Sequence, residues 1–289
     1  LSRPLQMPAK FTRKPRKGRK SIIPGFGLTM GFTLAWLSLI VLIPLSTVFI
    51  RAAGMGLEEF LEVGFSPRAI AAYQVSFGTA FAAALVNAVF GMIVAWVIVR
   101  YEFPGKRIFD ALIDLPFALP TAVAGIALTA IYAGNGWIGQ FLEPLGIRVA
   151  YNPIGITIAL IFIGLPFIVR SVEPVLADLS SEVEEAALSL GATPRQVFTR
   201  VILPTLLPAL LTGFALALAR GVGEYGSVIF IAGNMPFESE IAPLLILTQL
   251  EQYDYAGATA MAVVMLLVSF AMLLFINLVQ AWSRRRVGA

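Results

Sequence analysis

The sequence predicts an all-α polytopic membrane protein with six transmembrane helices and both termini in the cytoplasm. Three observations predict it. Of 289 residues, 58% are apolar and only 13% are charged, about half the charge of an ordinary soluble domain. The charges gather at the chain ends and in short breaks between apolar runs. Those runs are long enough, at 1.5 Å per residue, to cross a hydrocarbon core of roughly 30 Å.

The first span follows a basic tail, residues 1–27. Residues 1–20 carry eight Lys or Arg and no acid, and the apolar stretch Leu28 to Ile50 comes after them. A cleavable signal has a shorter apolar region before its small-x-small site, whereas here Arg51 follows a full-length span, so the stretch reads as an uncleaved signal anchor. The tail's place beside this span explains it as a topogenic signal, with binding to nucleic acid or anionic lipid as the alternative. The second span, about Ala69 to Val99, opens with Ser66 as cap and Pro67 at the first helical position. Its small residues Gly78, Ala80, Ala84, Ala88 and Gly91 predict close helix packing. The third, about Ile108 to Tyr132, contains Pro116 and Pro120, read either as a gating bend or as a static kink. The fourth, about Ile154 to Val169, starts at the Asn152-Pro153 cap. The fifth covers about Leu203 to Ile231 and the sixth about Ala256 to Trp282. The membrane domain is thus 28–282, followed by a short basic tail, 283–289.

Orientation follows from the basic residues. With the N-terminus in the cytoplasm, seventeen of the 21 Lys and Arg lie on that side. Arg51, Arg68 and Arg148 lie outside, and Arg220 lies within a span. The outer loop from Ala232 to Tyr255 holds Glu238, Glu240, Glu251 and Asp254 without one Lys or Arg.

The chain has no His and no Cys. That excludes a His/Cys metal site, a Cys nucleophile, a Ser-His-Asp triad and a disulfide framework. No Gly-x-x-x-x-Gly-Lys-Ser/Thr phosphate cradle occurs either, because the one Gly-Lys pair, Gly105-Lys106, is followed by Arg107. A nucleotide that drives this protein is therefore bound by another chain.

The long cytoplasmic segment 178–204 contains two helix starts. Ser181-Glu182-Val183-Glu184 fits a capping box, and Thr193-Pro194-Arg195-Gln196 fits it again with proline at the first helical position. Gly191 between them suits the left-handed end of the first helix. The expected object is a helix, a glycine turn and a second helix running into Pro204. An apolar face of Val183, Ala187 and Leu190 on the first helix, with Val197 and Val201 on the second, predicts a small apolar knob.

The run Glu185-Ala186-Ala187, then Gly191, then Val201-Ile202-Leu203-Pro204 resembles the EAA motif in membrane subunits of ATP-binding-cassette importers; Val201 stands where the motif has isoleucine. The C-terminal third narrows the resemblance. Arg220-Gly221-Val222-Gly223-Glu224-Tyr225-Gly226, Gly233-Asn234-Met235-Pro236 and Leu250-Glu251-Gln252-Tyr253-Asp254-Tyr255-Ala256-Gly257-Ala258 resemble the T-type permeases of sulfate/thiosulfate importers. The likeness runs from about Pro24 onward and leaves the basic tail unmatched. It implies a type I importer permease fold, the MetI-like fold, in a bacterial plasma (inner) membrane. It implies as partners a W-type sister permease, two ATPase subunits carrying ATP and Mg, and an external anion-binding protein, with no catalytic residue, metal, cofactor or nucleic acid in this chain. It also implies that Glu185, Ala186, Ala187, Gly191, Val201, Leu203 and Pro204 engage the ATPase.

Arg220 and Glu224, four apart, are expected on one helix face inside the fifth span. Intramembrane charges normally meet a cavity or a partner. Three readings stay open: Arg220 as a pathway charge for a divalent anion, held by Glu224 when no anion is near, a structural pair, or a role in coupling alone. Gly221, Gly223 and Gly226, beside Tyr225, serve either close packing or a helix break. The outer acids Glu238, Glu240, Glu251 and Asp254 are expected to meet basic residues of the delivering protein, or to be merely solvated. A molybdate or tungstate permease is the rival within the class, and an ion-gradient-driven carrier with Glu224 as proton site is the rival outside it.

Overall fold

The computed structural model describes residues 25–287, and the side chains only as far as residue 281. The basic tail up to residue 24 and the charges of the C-terminal tail lie outside that description. The described chain forms two units, one ending at Thr47 and one beginning at Val48. In the first, helix α1 (Phe26–Gly54) begins after Gly25, whose φ is +83°, and contains a π turn at Ser38–Leu42. Up to Thr47 none of its side chains is buried.

The second unit is built on three helices: α3 (Pro67–Arg100), α8 (Pro153–Ala177) and α10 (Pro194–Val222). Each starts where the sequence signals it. The Ser66 hydroxyl accepts from Ala69 N at 3.4 Å, and the Asn152 side-chain Oδ1 accepts from Ile154 N at 3.1 Å, with Pro67 and Pro153 each in the first helical turn. These helices meet along a seam of small residues, which lets backbones approach where lipid offers no hydrophobic drive to association. A β-carbon at Gly91 would come within 2.7 Å of Ile168, and one at Gly213 within 2.9 Å of the Ile168 Cα and the Phe167 carbonyl. Ala80 and Ala84 are buried in the same seam, whereas Gly78 faces open space and takes no part in it. Inside it the Asn87 amide donates to the Ile161 carbonyl at 3.1 Å, beside the helix-interior Pro166.

Around this core lie α2 (Leu57–Gly64), α4 (Lys106–Ile113), α5 (Leu115–Ala118), α6 (Thr121–Tyr132), α7 (Gly139–Leu142), α9 (Ser181–Ser189), α11 (Val228–Ile231), α12 (Ala242–Glu251) and α13 (Tyr255–Val287). Five helices among the described residues are long and apolar enough to cross a membrane, against the six expected. The difference is the third span. Its residues form α4, α5 and α6, broken at Asp114 and again at Leu119-Pro120. Proline removes a backbone donor and restricts the residue before it, so two prolines four apart stop the helix rather than bend it. Since Arg100 meets Glu184 of the 178–204 loop while Pro153 begins α8 at the opposite end, residues 101–152 cross the bundle in pieces. The expected fourth span continues to Ala177, and the expected fifth ends early, at Val222 instead of Ile231.

Candidate functional site

Two regions at opposite ends of the bundle carry the residues singled out in the sequence. The first is the 178–204 loop. The first cap is Ser180, one residue earlier than expected, its hydroxyl accepting from Glu182 N at 3.2 Å; Ser181 is already helical. At the far side of α9, Gly191 N donates to Leu188 O at 2.9 Å and Ala192 N to Ala187 O at 3.1 Å, with Gly191 at φ +86°. This is the paired bonding of a Schellman turn, which satisfies the last carbonyls of α9. The capping box at Thr193 is complete: its N–H donates to Gln196 Oε1 at 2.8 Å and its hydroxyl accepts from Gln196 N at 3.4 Å. The second helix does not stop at Pro204. It continues through a π turn at Phe198–Ile202 to Val222.

Glu185 and Ala186 face outward, Ala187 packs inward on the main core, and Val201, Leu203 and Pro204 are half-buried. The apolar surface of the loop therefore differs from the expected knob. Val183, Leu188 and Leu190 are exposed, Leu190 at 89%, while Val197 is buried.

The second region lies where α10 ends. Glu224 falls beyond the helix, after the Gly223 cap, so the pair is not the same-face helical pair expected. Arg220 Nη1 sits 2.6 Å from Glu224 Oε2, and Glu224 Oε1 accepts from both the backbone N–H and the hydroxyl of Ser227, at 3.0 and 3.1 Å. The Glu224 side chain is 1% exposed and that of Arg220 39%. Gly221 packs on Ala80, and Tyr225 packs on the core. The stretch Gly223 to Ser227 is non-helical and lies against α6: a β-carbon at Gly226 would overlap the Thr121 hydroxyl, and one at Gly125 the Ser227 carbonyl. Gly221 is closely packed, and the helix ends at Gly223. The breaks of the third and fifth spans thus meet, and irregular backbone at such depth is tolerated where it is buried in protein or lines a cavity.

Of the four acids expected on the outer loop, Glu240 is a correction. Its carboxylate is 1% exposed and gripped by Arg68, Nε to Oε2 at 2.8 Å and Nη2 to Oε1 at 2.7 Å, so it is no surface contact. Glu238, Glu251 and Asp254 are exposed. Glu238 lines a cavity of about 480 Å³ with Tyr132, Glu143, Arg148 and Tyr151, and Asp254 caps α13, accepting from Gly257 N at 2.9 Å. A further cluster escaped sequence reasoning. Arg170 of α8 binds Asp114 through two hydrogen bonds, at 2.9 and 2.7 Å, and pairs with Glu173 and Asp110. The spacing of Asp110 and Asp114 by four, and of Arg170 and Glu173 by three, was the available signal.

Residues 87–289 match the family described as binding-protein-dependent transport system inner membrane component. The sulfate transport system permease protein CysT of Synechococcus elongatus is 53% identical over 257 residues, 89% of this chain and 92% of that protein. The chain belongs to this family of permeases. This chain shares its fold with more distant solved importers. A bacterial transporter that imports the acidic polysaccharide alginate superposes with a TM-score of 0.71 at 17% identity, over 90% of this chain and 96% of that one. The same kind of transporter, solved with an alginate-pentasaccharide-bound periplasmic protein, gives 0.70 at 18% identity, over 87% and 92%. The MetNI methionine transporter gives 0.50 at 20% identity, over 77% and 99%. The fold is that of the MetI-like importer permeases, and the chain is a multi-pass membrane protein.

Proposed function

We propose that this chain is one of two membrane subunits of an ATP-driven importer of sulfate and thiosulfate. The observation that carries the reading is the 178–204 loop: a capped helix, a Schellman turn at Gly191 and a second capped helix at the EAA spacing. Such a rigid exposed corner, bearing Val183, Leu188 and Leu190, suits insertion into an ATPase subunit. The naming of CysT relatives as sulfate permeases supports the substrate. By the positive-inside rule both termini and the loop face the cytoplasm of a bacterial inner membrane. A W-type sister permease, two ATPase subunits holding ATP and Mg, and an external binding protein complete the assembly. This chain supplies no catalytic group and no metal ligand.

In this reading Arg220, Gly221, Gly223, Glu224, Tyr225 and Gly226 border the anion path. Arg220 offers a planar fork matched to an oxyanion, and Glu224 holds that fork between passages. Exposed Glu238, Glu251 and Asp254 face the delivering protein. The match to binding-protein-dependent transport systems speaks against the ion-gradient rival. The test is to purify the tagged chain from its native membrane and identify what accompanies it, then to measure labelled sulfate uptake against molybdate competition. An ATPase subunit accompanies the chain if the reading is right; its absence removes it.

A further inference from the structure

Four side chains join the loop to α3 in a way that the loop's own turns do not require. Arg100 is the last residue of α3, and its guanidinium pairs with Glu184 of α9, each side chain being 22% exposed. The Arg100 Nε is buried without a hydrogen-bond partner among the described residues. Its Cζ lies 5.5 Å from the centre of the Trp96 ring, one turn back along the same helix. Trp96 in turn meets Phe198 edge to face, at 5.9 Å and 70°. Phe198 opens the π turn of α10. Glu184 and Phe198 stand on either side of the Gly191 turn, so a single turn of α3 holds both arms of the loop.

An ion pair open to solvent contributes little. This one is mostly covered and laid on an indole face, where a guanidinium gains from the ring as well as from the carboxylate. Beside it lies an open hollow of about 230 Å³, lined by Met92, Ile93, Trp96 and Phe198. The other end of α3 is fastened as well. Arg68, in its first turn, holds the buried Glu240, and Ser76 accepts from Ala242 N at 2.8 Å. Between these fixtures α3 runs 34 residues through the close-packed seam, a length of roughly 50 Å. A helix packed that densely moves as a body rather than flexing locally.

We infer that Trp96 and Arg100 are positioning residues that fasten the loop to α3, so that displacement of the loop by an ATPase is carried along α3 to the Arg68–Glu240 clamp. The inference rests on the importer reading above. Its test uses the whole transporter in proteoliposomes, with the sister permease, the ATPase and the loaded binding protein, and reads labelled sulfate imported per ATP hydrolysed. Arg100→Lys keeps the charge but loses the planar fork, and Trp96→Leu removes the ring. Each lowers sulfate per ATP about fivefold, the size of one such ring contact, while the ATPase stays bound. Trp96→Phe, which keeps an aromatic face, retains most of the parental ratio. A parental ratio in Arg100→Lys and Trp96→Leu overturns the inference. So does an equal loss in Trp96→Leu and Trp96→Phe, which marks volume rather than ring chemistry, and so does loss of the ATPase subunit from the Arg100→Lys complex, which reduces the contact to one of assembly. A parental complex without ATP-dependent uptake sinks the importer reading itself, a result distinct from the other three.

Discussion

Replacing Gly191 tests the loop through the backbone alone. Its φ is +86°, and a β-carbon built there meets no other atom within 4 Å. A β-carbon at 191 therefore meets open space, and its cost is conformational. For an L-residue with a β-carbon the left-handed region costs about 1–2 kcal/mol, with a β-branched residue at the upper end. That lowers the closed-to-open ratio of the Schellman turn about 5- to 30-fold. At limiting ATPase the apparent affinity falls by up to the same factor, because only the competent loop binds. Gly191→Val should weaken ATPase recruitment by that order and slow uptake with it, Gly191→Ala should do so less, and Gly191→Asn should stay near the parent, since asparagine tolerates this region. Recruitment is measured by titrating the ATPase onto purified, nanodisc-held transporter. A Val variant that recruits and transports like the parent, or an Asn variant as impaired as Val, refutes the reasoning.

Four further outcomes are expected. Arg220→Lys should assemble normally yet show clearly reduced labelled-sulfate uptake at equal subunit amounts, because lysine keeps the charge and loses the fork; parental uptake would leave Arg220 a packing charge. Arg220→Ala strands the buried Glu224, and adding Glu224→Ala should recover assembled protein; transport recovering equally would mark the pair as purely structural. Arg68→Ala leaves Glu240 buried without its cation, a loss of about 2 kcal/mol or more, seen as a lower midpoint in thermal unfolding of detergent-solubilised protein, and an unchanged midpoint would show that the clamp adds nothing. Reversing Glu238 and Glu251 to lysine should slow uptake more at low than at high salt, and a salt-independent rate would remove the docking role.

Local chemistry was the legible part of this chain. Ser66-Pro67, Asn152-Pro153 and Thr193-Pro194 each opened a helix where the sequence places one, and Gly191 took the left-handed position. Such signals act within four residues, and hydropathy adds the long spans. Where two local rules competed, the outcome was harder to read. Apolar length argued for one third span and Pro116 with Pro120 argued against it, and the prolines prevailed in α4, α5 and α6. Likewise apolar residues from Val228 to Ile231 drew the fifth span past Gly223, although the helix ends at Val222. Glu240 was misassigned because its partner Arg68 lies 172 residues away, and no periodicity within one segment announces a pair formed by the fold.

The π turn at Phe198–Ile202 sets an angular phase between the loop and the bundle. A π turn holds one residue more than the α turn it replaces, and one residue is about 100° of rotation around a helix axis. The stretch Pro194–Val197 therefore leaves the bundle turned by about that much from where an unbroken α-helix would aim it. The thirteen-residue interval from Gly191 to Pro204 includes this additional residue. Removing one residue between Phe198 and Ile202 would restore a regular helix, and by the same act swing α9 around the axis, away from Arg100. Spacing in this loop is thus a dial as much as a length: a shift of the bulge along the helix redirects the corner without breaking the rod that carries it.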